Sequence, residues 1–120
     1  MEYVDLGIGK RIFGDDHTAK SLMHEFIKTL PTALAQIKAA IGSKNYRELH
    51  EQVHKLRGAC CYASTPKLLK AIEALDKCTH TLRDINVIAD YDHKNALKLT
   101  AALETIAKAT ITHIRDNYQS

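Results

Sequence analysis

The chain has 120 residues, 45% of them apolar, which suits one domain with one core. Its 17 basic and 14 acidic residues leave a net charge of +3, and they are scattered. With no tryptophan and no arginine-rich arm, nucleic acid is not an expected partner.

Three cysteines, two of them adjacent, form neither a disulfide framework nor a C-x-x-C zinc pair, and read as thiols in a reducing compartment. There is no run of eighteen apolar residues and no signal peptide, so the chain is expected to be soluble and to make no direct membrane contact.

The apolar period is helical almost throughout, and only INVIADY, 85–91, could pass for a strand. A short helix is predicted from about Asp5 to Phe13, followed by a turn at Gly14-Asp15-Asp16. A long amphipathic helix follows, about His17 to Ile41. Its stripe is Met23, Ile27, Leu30, Leu34, Ile37 and Ile41, widened by Leu22 and Phe26. Pro31 predicts a kink within it, and Gly42 its end.

The third helix is predicted over about Asn45 to Ala63, with Asn45 and Glu48 as a capping pair and Tyr46, Leu49, Val53, Leu56, Cys60 and Ala63 inward. Ser64-Thr65-Pro66 supplies a hydroxyl cap and a proline at the first position of a fourth helix. That helix, about Pro66 to Leu82, buries Leu68, Ile72, Leu75 and Thr79. After a loop at roughly 84–90, a last helix from about Tyr91 to Asn117 buries Leu99, Leu103, Ile106, Thr110 and Ile114. The expected fold is all-α: an up-down-up-down antiparallel four-helix bundle with a short additional N-terminal helix, one domain over 1–120.

Beside the core face of the third helix runs a second stripe: His50, His54, Arg57, Gly58 and Cys61. His54 should face water, with a cation one turn away at Arg57 and bare backbone at Gly58. Two motifs overlap here. HEQVH matches H-E-x-x-H, a zinc-protease helix with Glu51 as general base. HKLRG is the pattern of a helix histidine that carries a phosphoryl group. The extended zinc motif fails, because its glycine position holds Arg57 and its last histidine position holds Cys60. Glu73, nineteen residues after His54, keeps a glutamate ligand possible by spacing. A cation at Arg57 opposes a dication one turn away. The other histidines, His17, His24, His80, His93 and His113, read as surface residues.

At HKLRGACCYASTPKLLKAIEALDK, 54–77, the chain resembles histidine-containing phosphotransfer (HPt) domains, most closely the C-terminal modules of bacterial hybrid sensor kinases. DLGIGKRIFGDDHTAKSLMHEFIKTLPTAL is similar to the family's opening, so the motif-level likeness covers about residues 3–85, and the last helix at 91–117 agrees in type. The resemblance implies a phosphorelay intermediate and no enzyme by itself. His54 would take a phosphoryl group from an aspartyl phosphate on a response-regulator receiver domain and pass it to another receiver aspartate. It implies no cofactor bound by this domain, Mg²⁺ on the receiver, and a monomer. It also implies a cytoplasmic location, either free-standing or as the soluble tail of a membrane-bound kinase. By position, Arg57 is the accompanying basic residue, Gly58 the glycine that admits the receiver, and Asp76 stands where the family often has glutamate or glutamine bonding the histidine ring. The family commonly has glycine where this chain has Cys61 and Ser64. Two alternatives stand beside this reading: a zinc-dependent hydrolase using His50, Glu51 and His54, and a helical interaction module without chemistry.

Overall fold

In a computed structural model, residues 1–118 are described. They form α1 (Leu6–Phe13), α2 (Asp16–Gly42), α3 (Tyr46–Cys60), α4 (Pro66–Leu82) and α5 (Asp90–Asn117), with no strand among the described residues. INVIADY is loop leading into the start of α5. The helices α2 to α5 pack in a ring, each against its chain neighbour and α5 back against α2, while α1 lies on α2. The bundle measures 47 × 24 × 23 Å, its long axis set by the two longest helices. No described helix is long and apolar enough to cross a membrane.

On α2, α3 and α4 the core follows the predicted stripes, with Met23, Leu30, Ile37, Leu49, Val53, Leu68, Ile72 and Leu75 fully enclosed, but Leu22, expected to widen the α2 stripe, is only half-buried. On α5 the inward face is rotated from expectation. Leu103, Thr110 and Ile114 are buried, but Leu99 and Ile106 are only half-buried. Ala96 and Ala107 are fully enclosed and Thr100 nearly so, beside Leu103 and Ile114, since small side chains let two helices approach closely.

The caps show which local signals operate. Asp5 and Asp15 each accept a backbone N–H of their own helix, from Gly7 and Thr18. Asn45 accepts from Glu48 N–H, but the reciprocal half of the capping box is not formed, since Glu48 binds Gln52 instead. α2 continues through Pro31, and Gly42 is its last residue. The left-handed residue that turns the chain into α3 is Lys44, at φ 56°, not Gly42. The hydroxyl cap expected before α4 is also not formed. Thr65 sits at that position but its Oγ1 is buried without a partner, and Pro66 begins the helix as expected.

The turn between α3 and α4 does a different job. α3 ends at Cys60, short of Ala63, and Ser64 adopts φ 64°. There its carbonyl accepts from Asp5 N–H and its Oγ accepts from Gly9 N–H, at 2.9 and 3.1 Å. Gly9 lies so close that an added Cβ would stand 2.7 Å from both Ala19 Cβ and Ser64 Oγ. α1 is thereby pinned to α2 and to the turn that follows α3.

Candidate functional site

Helix period puts His54 on the side of α3 turned away from Val53 and Leu56, and the imidazole is 63% exposed. Beside it α4 presents Asp76, only 16% exposed, with Oδ1 3.4 Å from His54 Nδ1. Arg57 leans the same way, its Nε 3.9 Å from Asp76 Oδ2. The cation therefore stands beside the carboxylate that faces the ring. Gly58 is exposed, and a Cβ built there meets nothing within 4 Å. No packing inside the bundle asks for glycine at that position. His54, Arg57, Gly58 and Asp76, chosen from sequence, thus occupy one face.

His50 does not share that exposure. It is 7% exposed, enclosed between α3 and α4, with Nδ1 2.9 Å from Thr79 Oγ1 and 3.7 Å from Asp76 Oδ1. Arg83 Nη1 donates to its Nε2 at 3.3 Å. Burial pushes the His50 ring below its ordinary value; Asp76 opposes this, while Arg83, His80 and His54 add to it. The stripe drawn from sequence is split because α4 covers its N-terminal end. A helical wheel of α3 alone carries no sign of that cover.

The remaining histidines also depart from a uniform surface reading. His17 and His80 are exposed, but His24, His93 and His113 are half-buried. Tyr46 Oη lies 2.6 Å from His93 Nδ1, joining α3 to α5, and His113 packs on Tyr3 with ring centres 5.6 Å apart.

A shallow groove of about 430 Å³ opens over the site, lined by His50, Glu51, His54, Lys55, Asp76, His80 and Arg83. A second groove of about 380 Å³ runs between α2 and α3, and Lys55 borders both. Lys55 therefore borders the site as well as the α2–α3 groove.

Among the described residues, the His and carboxylate donors that close on one point are His50, His54 and Asp76, all within 4.8 Å of one another. Neither Glu51 nor Glu73 is among them. To ligate through Nδ1, His50 would have to leave Thr79, and its Nε2 faces a guanidinium. The donor set is thus poorly disposed for a cation.

The two departures from the family pattern resolve differently. Ser64 has the left-handed backbone that favours glycine, and retains its hydroxyl for the bond to Gly9. Cys61 has ordinary helical backbone, φ −60°, so glycine is not required there. Cys61 is exposed at the end of α3, whereas burial pushes the Cys60 thiol up to about 12.

The family model described as "Hpt domain" matches residues 21–110, three quarters of the chain. The chain belongs to the Hpt domain family. No curated protein and no solved structure matches it. The match spans α3 and α4 whole, and with them the exposed imidazole and its carboxylate neighbour. Hpt domains are phosphotransfer modules of two-component signalling that interact with response-regulator receiver domains, and they are not enzymes in the usual sense.

Proposed function

We propose that His54 is the phosphoryl acceptor of this Hpt domain and that it works as an intermediate between two receivers. The observation that carries the reading is the contact between His54 Nδ1 and Asp76 Oδ1, beside the open space over Gly58. A carboxylate accepts from an N–H, so it favours the tautomer with hydrogen on Nδ1. The lone pair is then on Nε2, the nitrogen turned away from Asp76. In the transfer step, Nε2 bonds to the phosphorus of a receiver aspartyl phosphate as the aspartyl O–P bond breaks. The receiver carboxylate leaves with the bonding electrons. The ring then carries a positive charge that the Nδ1–H···Asp76 contact stabilises, and Arg57 is placed to pair with the new phosphoryl oxygens. Reversal onto another receiver aspartate completes the relay. Mg²⁺ and most of the transfer machinery belong to the receiver; this domain binds no cofactor of its own.

Gly58 gives the receiver room to approach the imidazole, and Lys55, between the two grooves, offers a cation to an acidic partner. The domain acts as a monomer in the cytoplasm, free or as the tail of a sensor kinase. Incubation with a phosphorylated receiver tests the reading. Label should appear on the wild-type domain and not on His54→Ala. Label on His54→Ala overturns the assignment.

A further inference from the structure

His50 is the one ring of the site that is almost wholly enclosed, and its bonding can be worked out from its neighbours. Thr79 has a single hydroxyl hydrogen, directed to the backbone carbonyl of Asp76 at 3.2 Å. Its Oγ1 therefore meets His50 Nδ1, 2.9 Å away, with lone pairs only, so the ring must supply the hydrogen. At the other edge Arg83 Nη1 lies 3.3 Å from Nε2. A guanidinium has hydrogens to donate and no lone pair to offer, so Nε2 must be bare. Both neighbours require the same neutral ring, protonated on Nδ1.

That Nδ1–H also faces Asp76 Oδ1 at 3.7 Å, and the same oxygen is 3.4 Å from His54 Nδ1. The Asp76 carboxylate thus stands between two imidazole edges, one fixed from behind and one exposed. The two rings are 5.7 Å apart and tilted by 32°. His80 flanks His50 on the outer side, with ring centres 5.5 Å apart.

We propose that His50, held by Thr79 and Arg83, is a positioning residue that keeps Asp76 against His54 and so holds His54 in the tautomer with a bare, outward Nε2. The inference rests on the reading of His54 as acceptor, but it concerns a property of the ring that can be seen without any phosphoryl group. Nothing in the Hpt match assigns a role to His50. The two supports come from α4 and from the residue just after it.

The test is the tautomer of His54, read from its ring ¹⁵N shifts, in four proteins: wild type, His50→Leu, His50→Asn and Arg83→Met. Melting temperature and the rate of phosphotransfer from a phosphorylated receiver are recorded beside it. In wild type the Nδ1–H form should dominate. His50→Leu should mix the His54 tautomers and slow transfer by about tenfold, the lower end of the loss when the hydrogen-bond partner of a metal-bound histidine is removed. His50→Asn, which keeps an N–H near the position of Nδ1, should restore most of both. Arg83→Met leaves the ring in place and releases Nε2. With Thr79 still accepting from Nδ1–H, it should mix the His50 tautomers only in part and shift those of His54 in the same sense as His50→Leu but by less, so the test stands even where His50→Leu does not fold. Unchanged His54 tautomers in the folded variants overturn the inference. Mixed His54 tautomers in a domain whose wild type takes up no label leave the positioning intact and overturn the acceptor reading instead.

Discussion

Oδ1 of Asp76 lies 3.4 Å from Nδ1 of His54, across the gap between two neighbouring helices. A charge-assisted N–H···O⁻ bond is ordinarily about 2.7–2.9 Å, so the contact is long. Aspartate is one methylene shorter than the glutamate or glutamine the resemblance puts here, which is in keeping with the gap. Asp76→Ala should slow transfer to His54 by about tenfold without abolishing it, because the nucleophile stays in place. Asp76→Glu should retain transfer. Equal rates in Asp76→Ala and wild type would remove Asp76 from the site.

A phosphoramidate is labile in acid and stable in base. Label taken up by the domain should behave that way, and it should map to His54 alone. His50→Ala should still take up label, because its ring is enclosed and only His54 presents an exposed nitrogen beside Gly58. Mapping by mass spectrometry after mild base treatment checks both statements.

Two glycines should respond in opposite ways to alanine. At Gly58 a Cβ meets nothing, so Gly58→Ala should raise stability by up to about 1 kcal/mol through helix propensity. At Gly9 a Cβ would stand 2.7 Å from Ala19 Cβ, which is too short a side chain to move aside. Gly9→Ala should therefore cost about 1–3 kcal/mol. Gly58→Gln should leave the melting temperature near wild type and block receiver transfer. Unfolding of Gly58→Gln would show that glycine serves the fold and not the partner.

Stability should fall in mild acid because of His50. Burial holds its ring below the ordinary 6.5, so the unfolded chain binds that proton more readily than the folded one. The contribution is fully present above pH 6.5 and is lost as pH falls from there to the lower folded value. Melting temperatures measured on both sides of that window should drop for wild type and drop less for His50→Leu. Parallel curves would mean the ring titrates as freely in the fold as outside it.

Purified protein should hold no stoichiometric zinc. Closing His50, His54 and Asp76 on a dication would pull His50 from Thr79 and set the ion beside Arg57 and Arg83. Elemental analysis decides the point. One tightly held zinc, lost in the His50→Ala, His54→Ala double variant, would restore the hydrolase reading of HEQVH.

What residues a few positions apart can specify was present in the sequence. Pro66 starts α4 because its missing N–H is harmless only at a helix beginning. The stripe from Met23 to Ile41 is buried because helix period puts those side chains on one side whatever packs there. His54 and Gly58 lie one turn apart for the same reason, so the exposed half of the site could be drawn from α3 alone.

Relations between distant segments were decided by packing. Gly9 binds Ser64 across 55 positions, and only the close approach of α1 to the α3–α4 turn makes Ser64 a clasp and not a cap. His50 follows the same period as His54, yet α4 covers one and leaves the other open, through Thr79 and Arg83. On α5, alanines and threonines are enclosed while Leu99 and Ile106 stay half-buried, because the distance between helices, not hydrophobicity alone, selects the inward side chain. Periodicity is a property of one helix and can be read along it. Which face is covered, and which carboxylate meets which ring, depends on the neighbouring helix and is settled only when the two pack.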